Sequence, residues 1–296
     1  MKQLKMNGKV LLTFVVMFSV AVLVTSVCSA GTETLRIGVI PAENIYRTKE
    51  EYKGLIDHIK AKLGVDVELF TATDYTGVIE AMRNEKIDVA FFGPLSYVLA
   101  TDKAHAEVIV KENRKKAGSM YQAYIVTYAD SDIKTIQDLK GHSFSFVDPA
   151  STGGHLVPRL AMVKNGIDPE KDLKSVIYAG GHDASLLAVK NKKVDAGAIV
   201  NVSYNDMKSK GIFTEKDVRI IFESDPFPGC AWAVRGNLPN DLKINIQSVF
   251  LNLHKENPTA LKGFAGKVLN YEKACDSDWD VIRDMAKILN LDLSKS

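Results

Sequence analysis

Apolar residues recur along this chain in two alternating rhythms: short uninterrupted runs, then stripes spaced three and four residues apart. Leu35–Ile40 reads as a strand, and a helix follows over Lys49–Leu63, stopped by Gly64. Asp66–Thr71 is the next strand. Gly77–Asn84 then places Val78, Ile79 and Met82 on one helical face. Asp88–Phe92 reads as a further strand, and Pro94 opens another helix. The same order restarts in the middle of the chain, with strands expected at Tyr124–Tyr128, Ser143–Val147, Lys174–Tyr178, Val194–Val200 and Val218–Phe222. Beyond Cys230–Val234 the pattern predicts helix to the end. Strand–helix alternation predicts α/β sheets rich in parallel strands and covered by helices. The restart predicts two lobes joined by two hinge crossover strands, near Tyr121–Ala129 and Phe222–Ala233. One lobe would hold residues 31–125 and 232–296, and the other residues 126–231.

The first thirty residues stand apart from this rhythm. Lys2, Lys5 and Lys9 precede an uncharged apolar run, Val10–Val27, and the small residues Ser29 and Ala30 follow. That order describes a secretory signal peptide over 1–30, cut after Ala30, and hence an exported protein. A retained anchor is the alternative, as is acylation at Cys28, where Val27 fits poorly the small residue such signals carry. Without these residues the formal charge falls from +2 to −1, because three lysines and no acid leave. A chain so near neutrality lacks the concentrated basic face that nucleic acids need. Composition is ordinary for a globular protein, with 46% hydrophobic and 25% charged residues. Cys230 and Cys275 remain after processing, and the sequence leaves open whether they pair.

Candidate chemistry sits in the loops that follow the strands, because open α/β sheets bind ligands beyond their carboxyl ends. Asp148-Pro149-Ala150-Ser151-Thr152-Gly153-Gly154-His155-Leu156-Val157-Pro158 enters a helix, and Pro158 places its start near Thr152–His155. Unpaired amides at that start, the hydroxyls of Ser151 and Thr152, and the glycines Gly153 and Gly154 make a cradle for an anion without formal charge. Ser151 or Thr152 would equally serve as a helix cap. Gly93-Pro94-Leu95-Ser96-Tyr97 is a second helix start, where Ser96 and Tyr97 are candidate donors and Tyr97 is equally a core aromatic. Ala179-Gly180-Gly181-His182-Asp183 is a third, with His182 placed to donate to an oxyanion and to be favoured as imidazolium by it. Asp195 is a candidate acceptor from a protonated ligand oxygen, or a structural salt-bridge partner. The sequence carries no Cys-x-x-Cys or His-Glu-x-x-His metal motif, no phosphate-binding Gly-x-x-x-x-Gly-Lys loop and no Gly-x-Ser-x-Gly elbow. The reading is therefore a binding protein, not an enzyme, with neither metal nor cofactor.

These segments resemble a known family, the periplasmic phosphonate-, phosphite- and phosphate-binding components of ABC importers. The likeness runs from about Leu35 to Leu289 and is carried by Gly38-Val39-Ile40-Pro41-Ala42-Glu43, Asp74-Tyr75-Thr76-Gly77-Val78-Ile79, Asp88–Tyr97, Asp148–Pro158 and Ala179–Ala184. It implies the two-lobed periplasmic binding protein fold (type II), a small phosphorus oxyanion as ligand, an ABC permease in the inner membrane as partner, and a monomer. It also implies ligand contacts from Ser151, Thr152 and His182, with lesser roles for Tyr97 and Asp195. Two departures stand out. Gly153 replaces a hydroxyl donor of the family's turn, for which a backbone N–H or His155 would have to serve, and Phe92 stands where many relatives carry a tyrosine. The hinge segment Pro226–Trp232 has no acid after Pro228, which points to phosphite, methylphosphonate or phosphate ahead of an aminoalkylphosphonate. A periplasmic receptor presenting its ligand to a membrane sensor is the alternative, and an enzyme using Cys230 is a more remote one.

Overall fold

The computed structural model describes residues 34–115, 117–264 and 268–291; the expected signal peptide and Cys28 lie outside them. Among the described residues thirteen strands form two sheets and a short ribbon. The first sheet has the order β13-β4-β12-β3-β1-β2 and is built from β1 (Thr34–Val39), β2 (Asp66–Thr71), β3 (Val89–Phe92), β4 (Ala106–Arg114), β12 (Ala231–Arg235) and β13 (Val268–Lys273). The second has the order β10-β6-β9-β7-β8, from β6 (Ala123–Tyr128), β7 (Ser143–Phe146), β8 (Ser175–Tyr178), β9 (Ala196–Val200) and β10 (Val218–Glu223). Between them β5 (Met120–Tyr121) pairs antiparallel with β11 (Phe227–Pro228), so the chain crosses twice at one place. This is the two-lobed α/β periplasmic binding protein fold.

Both sheets are mixed. In the first, β1 runs parallel to β2 and β3, while β12 lies antiparallel to β3 and β4, and β13 antiparallel to β4. In the second, β7 is parallel to β8 and β9, and β6 is antiparallel to β9 and β10. The strand–helix rhythm accounts for the parallel part; the antiparallel part is made by strands that enter or leave the crossing. Two strands depart from expectation. β4 was not anticipated, and β13 interrupts the tail expected to be helical throughout.

Nine helices cover these sheets among the described residues: α1 (Ile45–Leu63), α2 (Tyr75–Arg83), α3 (Pro94–Ala104), α4 (Val157–Lys164), α5 (Pro169–Asp172), α6 (His182–Lys190), α7 (Asn201–Ser209), α8 (Asn240–Glu256) and α9 (Asp280–Ile288). Local chemistry sets their starts. Asp74 caps α2 by accepting from the Gly77 amide at 2.7 Å, and Pro94 occupies the first turn of α3, where its missing N–H costs nothing. The larger apolar core is continuous across the two halves, since Val147, Leu156 and Val200 pack in the same cluster as Ile40, Phe92 and Trp232.

Candidate functional site

Strand β7 ends at Phe146, and the segment after it turns sharply before α4 begins. Asp148 organises the turn: Oδ1 accepts from the Ala150 amide at 2.7 Å, and Oδ2 accepts from the Tyr75 amide of the other half at 3.2 Å. Burial pushes the Asp148 carboxyl upward against those two bonds. Ser151 has an extended backbone, and its hydroxyl accepts from the Gly154 amide at 3.0 Å. The next five residues, Thr152–Leu156, form a π-helical turn, and the α-helix starts only at Val157. A turn closed by Leu156 N–H to Ser151 C=O at 3.0 Å is wider than an α-turn, and it leaves the amides of Thr152 and Gly153 ahead of the first intrahelical bond. The helix start expected at Thr152–His155 is thus a π turn. Gly154 has a packing reason, because a Cβ there would lie 2.3 Å from Val147 Cβ. At Gly153 a Cβ would meet Val200 at 3.2 Å and Phe227 at 3.4 Å, so a serine at this position is crowded.

These residues face a cavity of about 120 Å³ between the two sheets. Ser151, Thr152, Gly153 and His182 line it together with Gly93 and Pro94, so the three helix starts singled out in the sequence converge on one space. The Thr152 hydroxyl accepts from the Leu95 amide of α3 at 2.7 Å, which leaves its own proton to donate. His182 begins α6. Its amide donates to Ala42 C=O at 2.8 Å, and its Nδ1 accepts from the Val200 amide at 3.1 Å. With Nδ1 occupied as an acceptor, the ring proton resides on Nε2. Burial pushes the imidazole down to about 3, so His182 is a neutral donor. The bond from Val200 also works against the imidazolium that a bound anion was expected to favour, because protonating Nδ1 would break it.

The remaining candidates lie off the cavity lining. The Tyr97 hydroxyl donates to Asp276 Oδ1 at 2.7 Å and the ring packs on Trp279, away from the cleft. Ser96 donates to Gly93 C=O at 3.0 Å within its own turn. Phe92 is fully buried in the sheet opposite Ala231, and strand alternation presents Phe91 to the cavity in its place. His155 Nδ1 contacts Pro149 C=O at 2.8 Å and its ring meets Phe146 and Tyr178 edge-on, a packed histidine pushed down to about 4 by burial. Asp195 sits at the opposite end of β7, accepting from the Ser143 amide at 2.8 Å and its hydroxyl at 2.7 Å. It is a structural acceptor.

The other lining residues, Cys230 apart, were not singled out from sequence. Tyr75 lines the cavity and is 1% exposed, and its hydroxyl lies beside Ser151 as a buried donor without a hydrogen-bond partner among the described residues. Its signal was present: it opens the helix capped by Asp74. Arg114, Tyr121 and Cys230 line the hinge side, and the carboxylates of Glu43, Glu51 and Asp206 line another wall. Cys230 and Cys275 are free thiols, and burial pushes the Cys230 thiol up to about 12, far from a nucleophile's range.

The sequence profile of a family described as "ABC transporter, phosphonate, periplasmic substrate-binding protein" matches residues 37–279. A phosphate-import protein of Mycolicibacterium smegmatis is 34% identical over 230 residues, covering 74% of this chain and 71% of that protein. A phosphonates-binding periplasmic protein of Escherichia coli is 32% identical over 258 residues, covering 84% and 76%. Among solved structures, a binding protein component of an ABC phosphonate transporter from Pseudomonas aeruginosa superimposes with a TM-score of 0.80 at 25% identity, covering 87% of this chain and 86% of that one.

Proposed function

The chain belongs to the phosphonate-binding family of periplasmic ABC-transporter substrate-binding proteins, and from that premise we propose that it holds a small phosphorus oxyanion at the start of α4. The family binds phosphonate, phosphite or phosphate for an ABC importer and is not enzymatic. The observation that carries the finer reading is the convergence of neutral donors on one cavity: the Thr152 and Gly153 amides, the Ser151 and Thr152 hydroxyls, His182 Nε2–H and the Tyr75 hydroxyl. Such a set matches phosphoryl oxygens and leaves the anion's charge spread over dipoles. A space of about 120 Å³ suits a ligand of benzene-like bulk, for which an apolar cavity of about 150 Å³ is known to suffice. That size admits phosphate, phosphite, methylphosphonate and short-chain phosphonates.

In this reading residues 1–30 are a cleaved signal peptide, and lobe closure about β5–β11 presents a monomer to an inner-membrane permease. Glu43, Glu51 and Asp206 enter the ligand question as well. The preference for an apolar-backed ligand came from residues 226–232 alone, and these acids lie elsewhere in the sequence. The test is calorimetric titration of protein unfolded and refolded to strip carried-over ligand, against phosphate, phosphite, methylphosphonate, 2-aminoethylphosphonate, sulfate and nitrate. Tight binding of a phosphorus oxyanion, lost in Ser151→Ala and His182→Ala, supports the reading. Silence across the panel rejects it in favour of the sensor alternative.

A further inference from the structure

The cradle at the start of α4 is rich in groups that give hydrogen bonds and poor in groups that receive them. The Thr152 and Gly153 amides can only donate, and the Gly154 amide is already spent on the Ser151 hydroxyl at 3.0 Å. His182 Nδ1 accepts from the Val200 amide at 3.1 Å, so Nε2 carries the ring proton and can only donate as well. The Ser151 hydroxyl receives the Gly154 amide and the Thr152 hydroxyl receives the Leu95 amide at 2.7 Å, which leaves each a proton to give. The Tyr75 hydroxyl, buried on the same lining, has no partner among the described residues. Asp148, the carboxylate built into the turn, is not part of the lining, and its two oxygens hold the Ala150 and Tyr75 amides at 2.7 and 3.2 Å. Two amides, three hydroxyls and one imidazole N–H make six donors, two for each oxygen of a PO3 group.

We propose that this cradle selects the protonation state of its ligand, taking the dianion, whose three phosphoryl oxygens are all bare, over the monoanion, which carries a P–O–H. The inference rests on the phosphorus-oxyanion reading above. A P–O–H proton set among these groups meets donors. An amide or Nε2–H cannot receive it, and a hydroxyl receives it only by turning its own proton away from the ligand. Either way a hydrogen bond to the anion is lost and a buried donor goes unpaired. The fourth substituent on phosphorus takes no part, so the rule covers phosphite, phosphonates and hydrogenphosphate alike. Below its second pKa the free ligand carries one proton on oxygen; capture breaks that O–H bond and passes the proton to the buffer. The other titratable groups of the lining bear on the same pH range. Arg114 is paired with Glu112 and stays a cation at any working pH. Burial pushes the Tyr52, Tyr75 and Tyr121 hydroxyls and the Cys230 thiol upward and holds His182 down at about 3, so none of these changes its charge between about pH 5.5 and about 8.5. The carboxylates have partners of their own: Glu43 accepts from the Ser203 hydroxyl at 2.8 Å, and Lys210 reaches Asp206 at 2.7 Å and Glu51 at 4.0 Å. If one of them titrates, its midpoint belongs to the protein and is the same for every ligand.

Calorimetric titration of the ligand-stripped protein from about pH 5.5 to about 8.5, in two buffers of different ionisation enthalpy, tests the proposal. The ligands are the phosphorus oxyanions of the panel together with chloromethylphosphonate, whose chlorine lowers its second pKa; each second pKa is measured separately by phosphorus NMR. About one pH unit below a ligand's own second pKa, its dissociation constant should be about five- to tenfold higher than well above it, because only the dianionic fraction binds tightly. At that pH about 0.4–0.9 proton should be released per ligand captured, and almost none at high pH. The break should shift from ligand to ligand with the ligand's pKa, and where a single ligand binds it should fall at that ligand's own value. A break at one pH shared by all ligands assigns the proton to the protein and overturns the proposal. So does an affinity independent of pH with no proton released. If no phosphorus oxyanion binds at about pH 8.5, where the dianions dominate, the phosphorus-oxyanion reading itself has failed.

Discussion

Two buried histidines give the residue scale its clearest test. His182 and His155 are held near 3 and near 4 by burial, against about 6.5 in an unfolded chain. The unfolded chain therefore binds protons that the folded one refuses. Their contribution to stability is fully present above about pH 6.5 and is lost as pH falls toward the folded values, with each residue adding a slope of up to about 1.4 kcal/mol per pH unit. Asp148, pushed upward by burial, runs the opposite way, but only in the carboxylate range. Urea unfolding followed from pH 6.5 to 5 should show stability declining, and His155→Gln should remove part of that decline, the rest being carried by His182 and by His58, which burial also pushes down. A flat profile would mean that these rings are hydrated. Ligand affinity, by contrast, should not track a histidine titration between pH 5 and 8, since His182 donates while neutral. At this scale the sequence was informative about position and silent about role. Ser151, Thr152, Gly153 and His182 were legible because a helix start after a strand advertises its free amides. Tyr97, His155 and Asp195 carry equally suitable groups, and only their partners Asp276, Pro149 and Ser143 show them to be spent on the fold.

Among the elements, a clasp at the far ends of the strands holds the first sheet in register. Asp88 precedes β3 and accepts from the Arg36 amide at 2.8 Å, from Arg36 Nε at 3.0 Å and Nη2 at 2.7 Å, and from Arg235 Nε at 2.9 Å. It thereby ties β1, β3 and β12 together. Burial pushes its carboxyl up, but the two guanidiniums outweigh burial and hold it below the usual carboxylate range. Asp88→Asn keeps the shape and removes the charge. Breaking a buried pair costs about 3–5 kcal/mol, and Arg36 is one-third exposed, so a loss of about 2–3 kcal/mol is expected. Because the clasp lies at the amino ends and the cavity at the carboxyl ends, affinity should be unchanged when titrated well below the melting temperature. A loss of affinity with no loss of stability would contradict this division. Strands such as Asp66–Thr71 were legible in full, since apolar alternation bounded by turns leaves little choice. β4 was not, because its second half, Lys111-Glu112-Asn113-Arg114, reads as a solvated charged run. Those polar side chains find distant partners, Lys111 on Asp278 in the turn after β13 and Asn113 on Glu272 of β13, and long-range pairing of this kind leaves no local pattern.

At the scale of the whole molecule, a few bonds join the halves around the cavity, and the proposed closure would rest on them. Leu95 donates to Thr152, Tyr75 to Asp148, His182 to Ala42, Asn44 to Asp183 and Ser203 to Glu43. Most use backbone groups, which explains why a two-lobed organisation could be anticipated from the rhythm of elements while the contacts that close it could not. Asp183 separates closure from ligand contact, because it is not part of the cavity lining although its Oδ2 accepts the Asn44 amide at 3.2 Å. One such bond is worth roughly 1 kcal/mol net, or about fivefold in an open–closed equilibrium. Apparent affinity scales with the fraction of molecules able to close. Asp183→Ala should therefore raise the dissociation constant about 3- to 10-fold, chiefly by faster ligand release, whereas Asp183→Asn keeps the acceptor and should restore most of it. Stopped-flow release measured on the three proteins distinguishes this from a direct ligand contact. A direct contact would alter the ranking of ligands in the panel, whereas weakened closure lowers the affinity for every ligand by the same factor.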